Sequence, residues 1–234
     1  MLKLDEVEIE FISEVIGPFN GEIDDNQIVA IIGESGAGKS TLVKAITNTI
    51  KDYKGNISFK HKPITQDLFM YITQKGTLFN HLTIKDNLLL TIDNLKEVGE
   101  VFEELNLPID YLDKYPFELS GGECQRVDLT RAILAETKIL ILDEVFSALD
   151  SKTKDDTYDI LKQLQNKHKM LILFITHDLQ ETIFLAHEIL LIKDGKIVFK
   201  GTGKDLVLSN NENVHNLISQ QKMDLLRSAY ANNK

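Results

Sequence analysis

Several things are scarce in this chain. One cysteine in 234 residues excludes an internal disulfide and fits a reducing compartment. Long apolar runs are missing: stretches such as Ile139–Leu142 and Met170–Ile175 fall far short of the ~20 residues a membrane helix needs. Any membrane association is therefore expected to be borrowed from a partner. The opening MLKLDEVEIEF carries acids where a secretory leader has a basic start, so no leader is expected. Basic residues are outnumbered, 26 Lys and Arg against 36 Asp and Glu, a net charge of −10. That balance argues against nucleic acid or any other polyanion held through net charge, and leaves room for one concentrated anion site. No internal repeat or low-complexity tract is present.

What remains is ordinary globular material, 43% hydrophobic and 26% charged, long enough for one large domain or two small ones. Leu4, Val7, Ile9 and Phe11 alternate with polar residues, as in a half-exposed strand. Ile28–Ile32, Lys138–Leu142 and Met170–Ile175 read as strands buried on both faces, and Ile57–Lys60 and Phe69–Thr73 as two more. Lys54-Gly55-Asn56 reads as a turn. Helices are expected over Lys39–Ile50, within Leu82–Leu107, and over Gly122–Glu136, Ser151–Lys167 and Asp178–Ala186. Asp194-Gly195 marks a hairpin between Ile189–Lys193 and Lys196–Lys200, and a weak helix is expected around Val214–Ile218 and Met223–Leu226. Buried strands alternating with helices predict an α/β fold with a largely parallel sheet.

The strongest motif is Gly33-Glu34-Ser35-Gly36-Ala37-Gly38-Lys39-Ser40, which fits G-x-x-x-x-G-K-[ST] between a buried strand and a helix. Glycines let successive backbone N–H groups turn around an oxyanion, and the helix start adds positive potential. Lys39 suits the β- and γ-phosphates, and the Ser40 hydroxyl suits Mg²⁺. Thr41 completes the expected nucleotide-binding run. Ile139–Leu142 ends in Asp143-Glu144, placing two acids at the end of a buried strand. The first suits a Mg²⁺ shell, the second a water. Leu119-Ser120-Gly121-Gly122-Glu123 contains a capping box, Ser120-x-x-Glu123. Capping does not explain two glycines in the first turn, which would suit an anion brought close to the backbone.

Together the P-loop, LSGGECQ at 119–125 and ILILDE at 139–144 resemble the nucleotide-binding subunit of ATP-binding cassette (ABC) transporters. The resemblance covers about residues 1–200 and implies a P-loop core with an antiparallel β-subdomain and an inserted helical subdomain at about 77–130. The domain would span 1–220, with a polar tail at 221–234. The resemblance also implies ATP and Mg²⁺ as cofactors, with Ser40, Gln74 and Asp143 around the metal. Glu144, His177, Gln74 and Lys39 would be catalytic, Glu144 polarising the water and His177 facing the γ-phosphate. Ser120, Gly121, Gly122 and Glu123 would contact ATP held by a partner subunit, and Asp150, in Ser147-Ala148-Leu149-Asp150, would contact that partner. An aromatic residue usually stacks on the adenine; Phe11 is the candidate, with Phe19 behind it.

Plain structural alternatives stand beside these roles. Gln74 could be a loop glutamine, Asp150 the cap of the following helix, and Phe11 a core residue. Asp178-x-x-Glu181 could cap a helix and leave His177 in a surface loop. Asp128 and Thr130 depart from the small apolar residues common in the family's signature helix, and Asn80 and Val145 replace frequent prolines.

The stretch from Gln74 to Asn87 resembles the coupling region of bacterial importer cassettes. The implied function is an ATPase that powers a separate permease by dimer closure and reopening. Its partners would be a second cassette, identical or not, the integral membrane permease and a substrate-binding protein. Its place would be cytoplasmic, peripheral on the inner face of the membrane. The alternatives are an exporter or lipid-extraction cassette, or a soluble ABC ATPase.

Overall fold

The computed structural model describes residues 1–12, 14–147 and 149–217. The expected tail at 221–234 and the second half of the last weak helix lie outside them. The chain divides into two compact units, Met1–Gln66 with the chain from Leu171 onward, and Asp67–Met170.

In the first unit, β1 (Leu2–Glu10), β2 (Val15–Ile23), β4 (Lys54–Phe59) and β5 (Lys62–Pro63) form an antiparallel sheet in the order β2-β1-β4-β5. Strand β3 (Ile28–Ile32) lies parallel to β8 (Leu171–Ile175) on one side and β9 (Glu188–Lys193) on the other. β9 forms an antiparallel hairpin with β10 (Lys196–Gly201). Every residue of β3 and β8 is buried, which is why both read as unbroken apolar runs. Helices α1 (Lys39–Ile46), α6 (Leu179–Leu185), α7 (Gly203–Leu208) and α8 (Glu212–Leu217) complete the unit.

In the second unit, β6 (Phe69–Thr73) runs parallel to β7 (Ile139–Asp143). Between them the chain forms α2 (Ile84–Leu89), α3 (Val98–Glu104), two short 3₁₀ turns and α4 (Gly121–Leu134). Helix α5 (Ser151–His168) follows β7. Among the described residues, 77–130 holds no strand. Leu161 and Leu164 of α5, Val127 and Leu129 of α4, and Phe102 of α3 are buried.

Several boundaries differ from the sequence reading, each for a local reason. The sequence pattern does not mark β2, because Pro18 interrupts it; β2 is an outer strand of its sheet, where a missing N–H is tolerated. Gly55 lies inside β4 rather than in a turn. Its φ is +84°, and a Cβ there would sit 2.2 Å from the Glu6 carbonyl oxygen, opposite a bulge in β1 between Asp5 and Glu8. The glycine marks the bulge. Helix α1 stops at Ile46 instead of Ile50 because Asn48 takes a left-handed conformation, φ +53°, and Thr49 and Ile50 donate back to the Lys44 carbonyl. The helical periodicity of 82–107 resolves into two short helices. Buried Asn87 secures the turn before the first of them, donating to the Phe79, Leu82 and Thr83 carbonyls. Helix α7 is only six residues long, too short for periodicity to show, and is held by a capping box of Thr202 and Asp205.

Leu161→Ala, in a fully buried position, is expected to cost about 2–5 kcal/mol in urea unfolding. Leu208→Ala, 61% exposed, should stay within about 0.5 kcal/mol of the parent.

Candidate functional site

In the first unit the P-loop joins β3 to α1. Gly33 is required by space: its φ is +151°, and a Cβ would lie 2.2 Å from the Ile192 carbonyl oxygen in β9. Glu34, Ser35 and Gly36 are exposed, while Ala37, Gly38 and Lys39 are buried. The Lys39 ammonium donates to the carbonyls of Gly33 and Glu34, both at 2.8 Å, so the lysine braces the loop it emerges from. Ser40 is exposed at the start of α1, with Thr41 beside it. The loop thus offers backbone N–H groups, a cation and a hydroxyl at one helix start, the donor set a polyphosphate requires.

His177 follows β8, the parallel neighbour of β3, and Ile31 pairs with Ile175. The P-loop and the His177 loop therefore leave the same end of adjacent strands, where α/β sheets take ligands. His177 is exposed. Asp178 caps α6 by accepting from the Gln180 N–H at 2.8 Å. Glu181 does not complete a capping box; its buried carboxylate accepts from the Thr176 hydroxyl at 2.5 Å. Phe11, in the turn from β1 to β2, is 42% exposed and is no core residue, whereas Phe19 is wholly buried. Burial removes Phe19 as a stacking surface.

The second unit repeats the same logic. Thr73 pairs with Asp143 across β6 and β7, so Gln74 and Glu144 leave the same end of two parallel strands. Asp143 accepts from the Tyr71 hydroxyl at 2.6 Å. Burial, then the bond to Asp143, pushes the Tyr71 phenol far above its ordinary range, so it stays a donor. Gln74 donates from Nε2 to the Ser147 hydroxyl at 3.0 Å, and Ser147 donates to the Glu144 carbonyl at 2.8 Å. Glu144 itself is left-handed, φ +54°. Gln125 of α4 donates to the Val145 carbonyl at 2.5 Å. Gln74 is thus bonded into the acid-bearing loop.

At the start of α4, Glu123 Oε2 accepts from both the N–H and the hydroxyl of Ser120, each at 2.7 Å. Glu123 Oε1 accepts from the Tyr111 hydroxyl at 2.7 Å. The Tyr111 bond, then the Ser120 N–H, hold the Glu123 carboxyl below its ordinary range. The two glycines differ. A Cβ on Gly122 would stand 2.8 Å from Thr153 of α5, so packing accounts for it; Gly121 faces open space. Asp150 accepts from the N–H and hydroxyl of Thr153 at 3.1 and 2.5 Å, which makes it the cap of α5. Ala148, in the same stretch, lies outside the described residues. Cys124 donates to the Pro116 carbonyl, and burial pushes its thiol up.

The sequence assigns no role to Tyr71, and gives Gln125 and Thr77 only as members of the LSGGECQ and Gln74–Asn87 stretches. Alternation along β6 was the available signal for Tyr71, two residues before Thr73.

The profile of the ABC transporter family matches residues 16–147. The chain belongs to that family. The carnitine transport ATP-binding protein OpuCA of Listeria monocytogenes is 37% identical over 206 residues, covering 82% of this chain and 52% of its own. A probable sulfate/thiosulfate import ATP-binding protein, CysA of Chlorella vulgaris, is 36% identical, covering 85% of this chain and 92% of its own. The thiamine import ATP-binding protein ThiQ of Vibrio cholerae is 33% identical, with 84% and 87% covered. This ABC chain spans about half the length of the carnitine transport relatives it matches. Its fold is that of cbiO1 from Clostridium perfringens, with a TM-score of 0.80, 22% identity, and 97% of this chain and 98% of the other covered. A dimeric ATP-binding cassette in a post-hydrolysis state, bound to ADP and Pi, is similar at a TM-score of 0.73 and 25% identity, with 87% and 99% covered.

The lowered Glu123 carboxyl gives a pH prediction. A carboxyl whose folded value is depressed adds stability above its ordinary value of 4.5 and loses it as pH falls through the folded value. The stability gap between the parent and Glu123→Gln, read from urea midpoints, should be largest near pH 7. It should close as pH drops below about 4.5; a gap independent of pH would contradict this.

Proposed function

We propose that the chain is the ATP-hydrolysing subunit of a solute importer, driving a separate membrane permease through dimer closure and reopening. The observation that carries this reading is the P-loop: a fully buried strand opens into Gly33–Gly38, and Lys39 is seated on two loop carbonyls at a helix start. The relatives named above, ATP-binding proteins of carnitine, sulfate/thiosulfate and thiamine transport or import, support the coupling to import. Within the cell its place would be the cytoplasmic face of the membrane, held there by the permease.

In this mechanism the loop amides from Gly33 to Thr41 and the Lys39 ammonium bind the phosphates. Moving from the loop carbonyls to phosphate oxygens costs Lys39 little, since it exchanges neutral acceptors for charged ones. The exposed Ser40 hydroxyl and the Asp143 carboxylate, both hard oxygen donors, would hold Mg²⁺, which would supply neutralisation of phosphate charge. Tyr71 holds Asp143 in one orientation. Glu144 accepts a proton from the attacking water, and Gln74, tied through Ser147 to the Glu144 backbone, orients that water or the metal. His177 donates to the γ-phosphate. Phe11 supplies an exposed ring for the adenine.

Ser120, Gly121, Gly122 and Glu123 act on the nucleotide of a second cassette. Their capping box prearranges the start of α4, with Gly121 leaving its approach open, and Asp150 stands at the same dimer contact. Each copy then supplies what the other's nucleotide lacks.

Glu144→Gln should keep nucleotide binding, lose on the order of 10²–10³ in turnover, and accumulate an ATP-bound dimer in size-exclusion chromatography. A variant hydrolysing ATP near the parent rate would remove Glu144 from this role. Specific activity of the isolated chain should rise with protein concentration, since two copies complete each site; constant specific activity down to dilute monomer would argue against a shared site.

A further inference from the structure

Asp128 is an oddity in the signature helix: a carboxylate in the middle of α4, where the family commonly has a small apolar residue, and only 1% exposed. Burying a charge is costly unless it is paired and hydrogen-bonded. Burial pushes its carboxyl up, and its bonds to Thr77 and Arg131 pull the other way.

Those bonds converge on one residue. Asp128 Oδ2 accepts from the Thr77 N–H at 3.2 Å, and Oδ1 accepts from the Thr77 hydroxyl. Arg131, one turn further along α4, lies 3.4 Å from Asp128 Oδ1 and donates to the Thr77 hydroxyl at 2.9 Å and the Thr77 carbonyl at 3.3 Å. Its Nε and Nη2 reach the Thr91 hydroxyl just beyond α2, at 3.2 and 3.1 Å. Donor and acceptor groups of Thr77 are therefore all taken by α4.

Thr77 is the exit of the loop that carries Gln74. The loop's entry is fixed at Thr73 by pairing with Asp143, and the Gly76 N–H closes a turn onto the Thr73 carbonyl at 2.8 Å. We infer that Asp128 is a positioning residue for Gln74, pinning the exit of its loop to α4 through Thr77. This rests on the proposed role of Gln74 in hydrolysis.

Steady-state ATP hydrolysis by the full chain tests it, with the parent, Asp128→Ala, Thr77→Val, Thr77→Ser, Gln74→Ala and the double variant Gln74→Ala/Asp128→Ala. Asp128→Ala and Thr77→Val should each lower kcat about tenfold while KM for ATP stays within about twofold, because the P-loop is untouched. Thr77→Ser, which keeps the hydroxyl, should retain at least about half the parent kcat. The double variant should be no slower than Gln74→Ala alone, since Asp128 acts through Gln74. Multiplied losses, a loss confined to KM, or parent-like turnover in Thr77→Val would overturn the inference. If Asp128→Ala fails to fold, the Thr77 pair decides alone. A folded parent chain without ATP hydrolysis would overturn the proposed function itself, and this inference with it.

Discussion

Parallel pairing is the constraint on which the chemistry of this chain depends. Two strands running the same way, in register, release their following loops at a common end. Ile31 against Ile175 does this for the P-loop and His177. Thr73 against Asp143 does it for Gln74 and Glu144. Parallel strands cannot be joined by a tight turn, so each pair requires a long crossover; α2, α3 and α4 lie in the one between β6 and β7. Burial of every residue in β3 and β8 is the energetic counterpart: strands covered on both faces hold their register firmly, and the loops inherit that firmness.

Polar side chains extend the arrangement beyond the strand ends in the second unit. Helix α4 bonds to the segment after Glu144 through Gln125, and to the segment after Gln74 through Asp128 and Arg131. Its own start is organised by Ser120, Glu123 and Tyr111. One helix thereby touches three of the stretches that the family resemblance singles out, and does so with hydrogen bonds whose geometry is specific, where apolar packing would tolerate sliding.

Much of this was legible in the sequence, for identifiable reasons. Unbroken apolar runs located β3, β7 and β8, because a strand buried on both faces leaves no polar residues to confuse the pattern. Gly33 and Lys39 were legible because their spacing in a glycine-rich turn between a buried strand and a helix is a specific motif. Strand β2 was not legible: Pro18 is forbidden in a central strand, and only the sheet order shows that this one is outermost. The same holds for Gly55, whose meaning depends on a carbonyl contributed by β1. Asp128 stood out as a departure from the family pattern, but its partner Thr77 lies 51 residues away in sequence, and no local periodicity connects them. Capping roles for Asp150 and Asp178 were readable because caps act over three residues.

Glu144 adopts a left-handed backbone, a conformation that costs a non-glycine residue about 1 kcal/mol or more. Asparagine or glycine would occupy it more comfortably, but neither has a carboxylate to offer a water molecule. On the proposed reading, the chain thus accepts a local weakness at the residue that performs the proton transfer. Selection for heat resistance alone would drift away from glutamate here, and its persistence in a thermally selected lineage would mark turnover as the property under selection.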